Sequence, residues 1–408
     1  MKIIHTSDWH IGHTFLNYER KDEFLYFFQQ LHALIERETP ELLLISGDIF
    51  HHNNPSAEST AFYFHELMQL KQLSSNLQII ITAGNHDSPS RLQAPAVILD
   101  NFNIHIVGCV PKENGEILWD KMLIPIYNHD HILSAVCMAV PFLRRGDYNH
   151  VGEEESDLAG IRHFYDTLYE KARTMAGTLP VIATAHIGIV SNNKEETIIG
   201  SLEAQASSVF PEGIDYVALG HIHKAYPVNR QLHIRYSGSP LPISMNAINR
   251  DHYVLVVDFS GNLLEKSKKA DKISVNPVKM NLLRPVLLLP ETPQLLDVVL
   301  DRIRQIPDEA EGYVELNLLQ TELIPDSRER LFAALEEKKM RFVGLRITTP
   351  QVAETAQTIT INSLEELQQL DPTTLAKQYF IKKTGVEMDE KYQKMLQEVI
   401  ANTNQPNH

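Results

Sequence analysis

The chain has 408 residues, enough for two or three domains, and its 43% hydrophobic and 22% charged residues exclude a disordered, collagen-like or fibrous protein. No apolar run approaches the ~18 residues that a membrane helix needs, and the N-terminus shows no signal-peptide core. A net charge of −15 argues against a generic polyanion binder, while two cysteines exclude a disulfide framework and point to a reducing cytoplasm. In chain order, residues 2–6 read as a short apolar strand. Residues 20–38 space Phe24, Phe27, Phe28, Leu31, Leu34 and Ile35 as a helix, which Pro40 ends. A buried-type strand follows at 41–46, a helix at 55–73, a strand at 77–82, a helix at 91–101 and a strand at 104–107. This β-α-β-α-β-α-β order predicts a largely parallel sheet.

From about residue 115 short strands dominate, at 122–126, 135–140, 181–185, 214–219, 233–236 and 253–259, with a helix at 157–176. The simplest architecture is an α/β sandwich of two sheets with outer helices. Cys109 and Cys137 fall in apolar segments and read as core packing. The polar stretch 260–277 closes this domain, so its boundary is expected at 275/276. Residues 276–350 follow as a small β-α-β-α-β cap domain, with strands at 285–289, 313–319 and 342–347 and helices at 294–305 and 326–339. A Thr- and Gln-rich linker opens the last stretch, 351–408, and two amphipathic helices at 371–384 and 389–401 end it.

Five short signals sit where strands should end: Asp8-Trp9-His10, Gly47-Asp48, Gly84-Asn85-His86-Asp87, His186, and Gly220-His221-Ile222-His223. Sites in open α/β sheets gather beyond the carboxyl ends of strands. The D-x-H and H-x-H spacings put both side chains on one side of an extended segment. Asp8, His10, Asp48, Asn85, His186, His221 and His223 are therefore seven candidate metal ligands, all nitrogen or oxygen donors. That mixture suits Mn, Fe, Zn or Mg rather than calcium. Seven ligands are too many for one ion and suit two, with one carboxylate shared. Two ions can clamp a phosphate and lower the pKa of a water between them toward ~7.

At this point the chain resembles the calcineurin-like metallophosphoesterases, whose pattern is D-x-H, GD, GNH, H and GH-x-H. The segments HTSDWHIG at 5–12, SGDIFHHNNPS at 46–56, AGNHDS at 83–88, PFLRRGD at 141–147, ALGHIHK at 218–224 and YSGSPLPIS at 236–244 narrow the likeness to the nuclease subunits of bacterial complexes that process DNA double-strand breaks and hairpins. The resemblance implies a metallophosphoesterase nuclease domain over 1–275, a substrate-selecting, DNA-binding cap over 276–350, and tail helices that bind an ATPase. It assigns Asp8, His10 and His223 to one metal, Asn85, His186 and His221 to the other, and Asp48 to both. Manganese is the implied ion, with magnesium as the alternative. His86 is implied as the acid that protonates the leaving oxygen or steadies the phosphate. His51 stands where many bacterial relatives carry Asp, and two readings stay open for it: a helper at the phosphate, or a solvated loop histidine.

Arg144 and Arg145 are either phosphate-backbone contacts or surface arginines, and Lys224 and Arg235 are weaker candidates. Trp9 and Phe50 read as packing residues that shape the metal loops. The implied activity is Mn-dependent 3′-to-5′ exonuclease action on double strands, with endonuclease action on hairpins and single strands. The implied partner is an ABC-type ATPase with a long coiled coil; this chain carries no Walker A pattern, so any ATP dependence must come from elsewhere. A homodimer joined through helices 55–73 and 91–101 is also implied. A phosphatase or cyclic-nucleotide phosphodiesterase would use the same metals. However, no Arg follows the GD element as in the protein phosphatases, and the intact ligand set argues against a non-catalytic scaffold.

Overall fold

Alternation along the first strands sets the architecture. Ile3, Leu42, Leu44 and Ile80 share one buried face, while Ile4, Leu43, Ile45, Ile79 and Ile81 share the other, so this sheet must be covered on both sides. The computed structural model describes residues 1–148, 157–190, 204–205, 209–259, 273–321 and 326–349. In the C-terminal stretch it describes 373, 376–377, 379–381, 388–389 and 392–396. It divides into two compact units, Met1–Arg284 and Pro285–His408.

The first unit contains the strands β1 (Lys2–Thr6), β2 (Leu42–Ser46), β3 (Gln78–Thr82), β4 (Ile104–Val107), β5 (Leu123–Tyr127) and β6 (Leu133–Met138). These are followed by β7 (Val181–His186), β8 (Tyr216–Gly220), β9 (Tyr226–Pro227), β10 (Ile234–Tyr236), β11 (His252–Asp258) and β12 (Ser274–Met280). They form two six-stranded sheets, ordered β12-β11-β1-β2-β3-β4 and β9-β10-β8-β7-β6-β5. The strands β1 to β4 pair in parallel, as do β6, β7, β8 and β10. One apolar core, containing Leu42, Leu44, Met138, Ile182 and Leu219, lies between the sheets. The helices α1 (Lys21–Glu38) and α2 (Ala57–Leu73) cover the outer face of the first sheet with Phe27, Leu31, Leu67 and Leu70. Helix α3 (Asp157–Ala176) adds Phe164, Leu168 and Ala172 to the core containing the second sheet. The α/β sandwich expected from the sequence is the fold found. Parallel strands with outer helices bring the carboxyl ends of β1, β2, β3, β7 and β8 to one edge.

The second unit has the expected β-α-β-α-β order. A three-stranded parallel sheet, β13 (Val286–Gln294), β14 (Gly312–Leu319) and β15 (Met340–Thr348), carries helices α4 (Leu296–Arg304) and α5 (Ser327–Glu336). Val299, Ile303, Val314, Leu316, Leu331 and Leu335 make its core.

Three details differ from expectation. The boundary expected at 275/276 falls inside β12, which pairs antiparallel with β11 along its whole length, so the first unit extends to Arg284. The helix expected at 91–101 is broken into Pro89–Gln93, Ala96–Leu99 and a 3-10 turn, because Pro95 has no N–H to continue the ladder. Cys137 is buried as expected, but Cys109 lies past the end of β4 and is exposed. The expected linker at 350–362 and most of the two expected tail helices lie outside the described residues, although 379–381 and 392–396 are helical. Among the described residues no helix is long and apolar enough to cross a membrane.

Candidate metal centre

The loops that leave β1 and β2 continue the pairing of their strands. The N–H of Asp8 donates to the carbonyl of Gly47 (3.0 Å), that of His10 to Asp48 (3.0 Å) and that of Ile11 to Ile49 (2.9 Å). This parallel ribbon holds Asp8, His10 and Asp48 side by side beyond the sheet. Asp8 (φ 53°), His10 (φ 50°), Asp48 (φ 53°) and His221 (φ 93°) all occupy the left-handed backbone region, which costs non-glycine residues on the order of 1–3 kcal/mol each. Four of seven candidate ligands are thus held in strained conformations that the surrounding fold imposes. Two glycines make room for them. A Cβ on Gly47 would lie 2.2 Å from His186 Nδ1, and one on Gly84 would lie 2.1 Å from Asp48 Oδ1.

All nine residues singled out from the sequence as ligands or catalytic groups come together here. His10 Nε2 lies 3.1 Å from His223 Nε2, and Asp8 groups with both. Asn85 Oδ1 lies 3.0 Å from His186 Nε2 and 3.0 Å from His221 Nδ1. Asp48 Oδ2 lies between these sets, 3.6 Å from His10 Nε2 and 3.3 Å from His186 Nε2. Its other oxygen accepts the N–H of His86 at 2.9 Å. The His51 ring stands 5.4 Å from that of His10 and is stacked at 5.6 Å on that of His86. It is half-buried beside the ligands rather than on an open loop.

The donor set fits a pair of divalent cations. His186 Nδ1–H donates to the carbonyl of Ser46 (2.9 Å), which leaves the Nε2 lone pair facing Asn85 Oδ1 and Asp48 Oδ2. Three acceptors cannot converge without something positive among them. In the metal-free chain a proton fills that need. Burial pushes the His186 imidazole down, but the Asp48 carboxylate outweighs it and raises the pKa to about 9. Burial likewise disfavours the Asp48 anion, yet His186 and His10 hold its carboxyl below the ordinary range, whereas burial raises Asp8. Burial lowers His10 well below its ordinary value. His221 falls to about 4 through burial and then His186, and His51 to about 4 through burial and then His52. Neutral imidazoles with free lone pairs are the form in which histidine binds metals.

Several contributors were given no role from the sequence. Asp87, buried, accepts three backbone N–H groups: Gly84 (2.8 Å) and Ile49 (3.1 Å) on Oδ2, and Phe50 (2.9 Å) on Oδ1. It ties the loop after β2 to the loop after β3. Its only sequence signal is its place after Gly84-Asn85-His86. Ser7 Oγ donates to Asp8 Oδ2 at 2.5 Å and is 2.7 Å from Ser237 Oγ, which reaches in from the segment after β10. The backbone N–H of His221 donates to Asp8 Oδ1 at 3.0 Å.

The candidate cations separate. Arg144 lies 5.4 Å over the Phe142 ring, which makes a T-shaped contact with the His186 ring at 6.2 Å. Arg145 is exposed and pairs with Asp157 at 3.3 Å. Arg235 is buried within β10 and so is poorly placed to meet a DNA backbone. Trp9 packs on Phe27 and Phe28, and Phe50 on Tyr63, both inside the core.

Comparison with known proteins agrees with this geometry. Residues 1–225 match the calcineurin-like phosphoesterase family, and residues 283–384 match the type 5 capsule protein repressor C-terminal domain. The SbcD component of the SbcCD nuclease of Rhodobacter capsulatus is 34% identical over 370 residues, covering 87% of this chain and 89% of its own. That of Escherichia coli K12 is 27% identical over 417 residues, covering 99% and 98%. That of Bacillus subtilis is 28% identical over 268 residues, covering 63% and 66%.

Proposed function

This chain belongs to the calcineurin-like phosphoesterases and, among them, to the SbcD nucleases, so it is a metal-dependent hydrolase of phosphodiesters; from that premise we propose that it cuts DNA with two manganese ions. Its action is 3′-to-5′ exonucleolytic on double strands and endonucleolytic on hairpins and single strands. It works as a homodimer with a coiled-coil ATPase of the SbcC type. The observation that carries this reading is the gathering of the six other ligand side chains around Asp48, with His86 and His51 beside them. The names of the relatives support the nuclease and a companion SbcC subunit. The exposed Val97 and Ile98, on the short helix Ala96–Leu99, support a homodimer contact at that face.

Asp8, His10 and His223 would hold one ion and Asn85, His186 and His221 the other, with Asp48 available to both. Bound there, the cations supply the charge that neutralises the phosphate and the acidity that turns water into a nucleophile at neutral pH. Water oxygen adds to phosphorus as the bond to the leaving 3′ oxygen breaks. His86 Nδ1–H is anchored on the His51 carbonyl at 2.8 Å, which leaves Nε2 to carry a proton to the leaving oxygen. Arg144 contributes positive charge for the DNA backbone, which the acidic body otherwise lacks.

Purified protein tests this on a labelled hairpin and on a nucleotide phosphodiester, with Mn2+, with Mg2+ and with EDTA. Hairpin opening that needs Mn2+ and stops with EDTA is expected. Hydrolysis confined to the small phosphodiester, with hairpins untouched in every metal, would favour a small-substrate phosphodiesterase.

A further inference from the structure

Beyond the ligands, a buried arginine reaches the site through one more histidine. Arg20 starts the turn into α1, and its side chain is fully enclosed. Its Nε and Nη2 donate to Glu23 Oε2 at 3.0 and 2.7 Å, and its Nη1 donates to the carbonyl of Pro242 at 2.5 Å. Nη1 also lies 3.1 Å from His13 Nδ1. A guanidinium has no lone pair to offer and stays charged at any working pH. The Nδ1 of His13 must therefore be the acceptor, and its proton must sit on Nε2. His13 is itself buried, and its ring stands 4.5 Å from that of His51 at 81°. The backbone reinforces the pairing: the His13 N–H donates to the His10 carbonyl (2.9 Å), and the His51 N–H donates to the Ile11 carbonyl (3.1 Å).

We propose that His13, locked by Arg20 in the tautomer that carries its proton on Nε2, is a positioning residue for His51 in phosphodiester hydrolysis. This role rests on the phosphodiesterase reading of the same site. The chain of contacts runs from Glu23 to Arg20, from Arg20 to His13, and from the His13 ring to the His51 ring. His51 in turn supports His86 twice, through its carbonyl and through the stacked ring. A His13 ring free to turn over would present either edge to His51 and blur its placement. With Nδ1 tied to Arg20, one edge is selected. His13 touches neither substrate nor metal in this scheme and acts through His51.

Two measurements test the lock. The first is long-range 15N–1H correlation on the full, metal-free chain labelled at histidine, with His13 assigned from the His13→Gln variant. A protonated Nε2 and a bare Nδ1 are expected for His13 at pH 7, and the opposite tautomer or an average of the two overturns the proposal. The second is steady-state hydrolysis of a thymidine p-nitrophenyl phosphodiester with Mn2+. His13→Ala should lower kcat about tenfold and leave KM within about twofold, the signature of a misplaced group rather than lost binding. His13→Gln, whose amide oxygen can still accept from Arg20, should recover most of that loss, and it remains informative if the alanine variant folds poorly. Equal loss in both variants, or a native kcat in His13→Ala, overturns the role. Wild-type protein that hydrolyses neither this diester nor DNA overturns the phosphodiesterase reading itself, which separates the two failures.

Discussion

Asp48 is the residue on which both halves of the site depend. Its Oδ2 stands between His10 and His186, and its Oδ1 is held by the His86 N–H, so the carboxylate cannot swing to serve one side alone. Asp48→Ala should therefore lose both ions, while Asn85→Ala should weaken chiefly the one shared with His186 and His221. Anomalous scattering from Mn-soaked crystals decides it, and two full-occupancy ions in Asp48→Ala would end the bridging assignment. His86 makes the opposite prediction. Its Nδ1 is taken by a backbone carbonyl, so removing the ring should spare the metals. His86→Ser should keep Mn2+ affinity by calorimetry while turnover falls by a factor on the order of 10²–10⁴, the range for a general acid. Metal loss together with activity would make His86 a ligand instead. At this scale the sequence was legible where chemistry and position coincide. Asp8, His10, Asp48, Asn85, His186, His221 and His223 are polar residues at ends of apolar strands, which packing alone does not explain. Asp87, Ser7 and Arg20 were not legible, because they bind backbone or other side chains whose approach only the folded chain creates.

The loops after β2 and β3 form one unit because Asp87 closes it. Its carboxylate is the shared acceptor for the N–H groups of Ile49, Phe50 and Gly84, which lie beyond the strand ends. Burial raises the Asp87 pKa to about 6, with Asp48 adding to the shift, so the fold tolerates a carboxyl there for what it binds rather than for ease of burial. Asp87→Ala should strand three buried donors at roughly 1–3 kcal/mol each before relaxation. The expected result is a loss of about 3 kcal/mol or more in urea unfolding of the metal-free chain, and weaker binding of Mn2+. Native stability in Asp87→Ala would mean that the loops hold themselves. Among the elements, helices with a strong apolar stripe were readable to within a residue or two: the expected 20–38 is Lys21–Glu38, and 157–176 is Asp157–Ala176. Two elements were misjudged for opposite reasons. Pro95 sits inside an apolar pattern that periodicity reads as continuous, and β12 is an edge strand whose exposed residues resemble a polar linker.

On the scale of the whole molecule, a chain of net charge −15 has to find DNA with little long-range attraction of its own. Under the proposed function, an ATPase partner that binds DNA would supply what the surface lacks, with the C-terminal stretch as its proposed docking element. Among the described residues, Val299, Leu316 and Leu331 belong to the core of the second unit. Within the described part of the tail, residues 392–396 are helical, and the Gln393 N–H donates to the Asp389 carbonyl at 3.0 Å. The rings of Phe380 and Tyr392 lie 6.1 Å apart and join the two helical pieces, while Tyr379 and Met395 stay 64% and 54% exposed. Paired short helices with apolar side chains left outside are suited to lie against a coiled coil. Deleting residues 365–408 should therefore leave Mn-dependent cleavage of short single-stranded DNA nearly intact, because every proposed ligand lies in the first unit. The same deletion should abolish co-purification with the ATPase and any ATP-dependent processing of blocked double-stranded ends. A truncated chain that still elutes with the ATPase on gel filtration would place the main contact elsewhere. One that loses single-strand cleavage as well would show that the tail supports the nuclease itself.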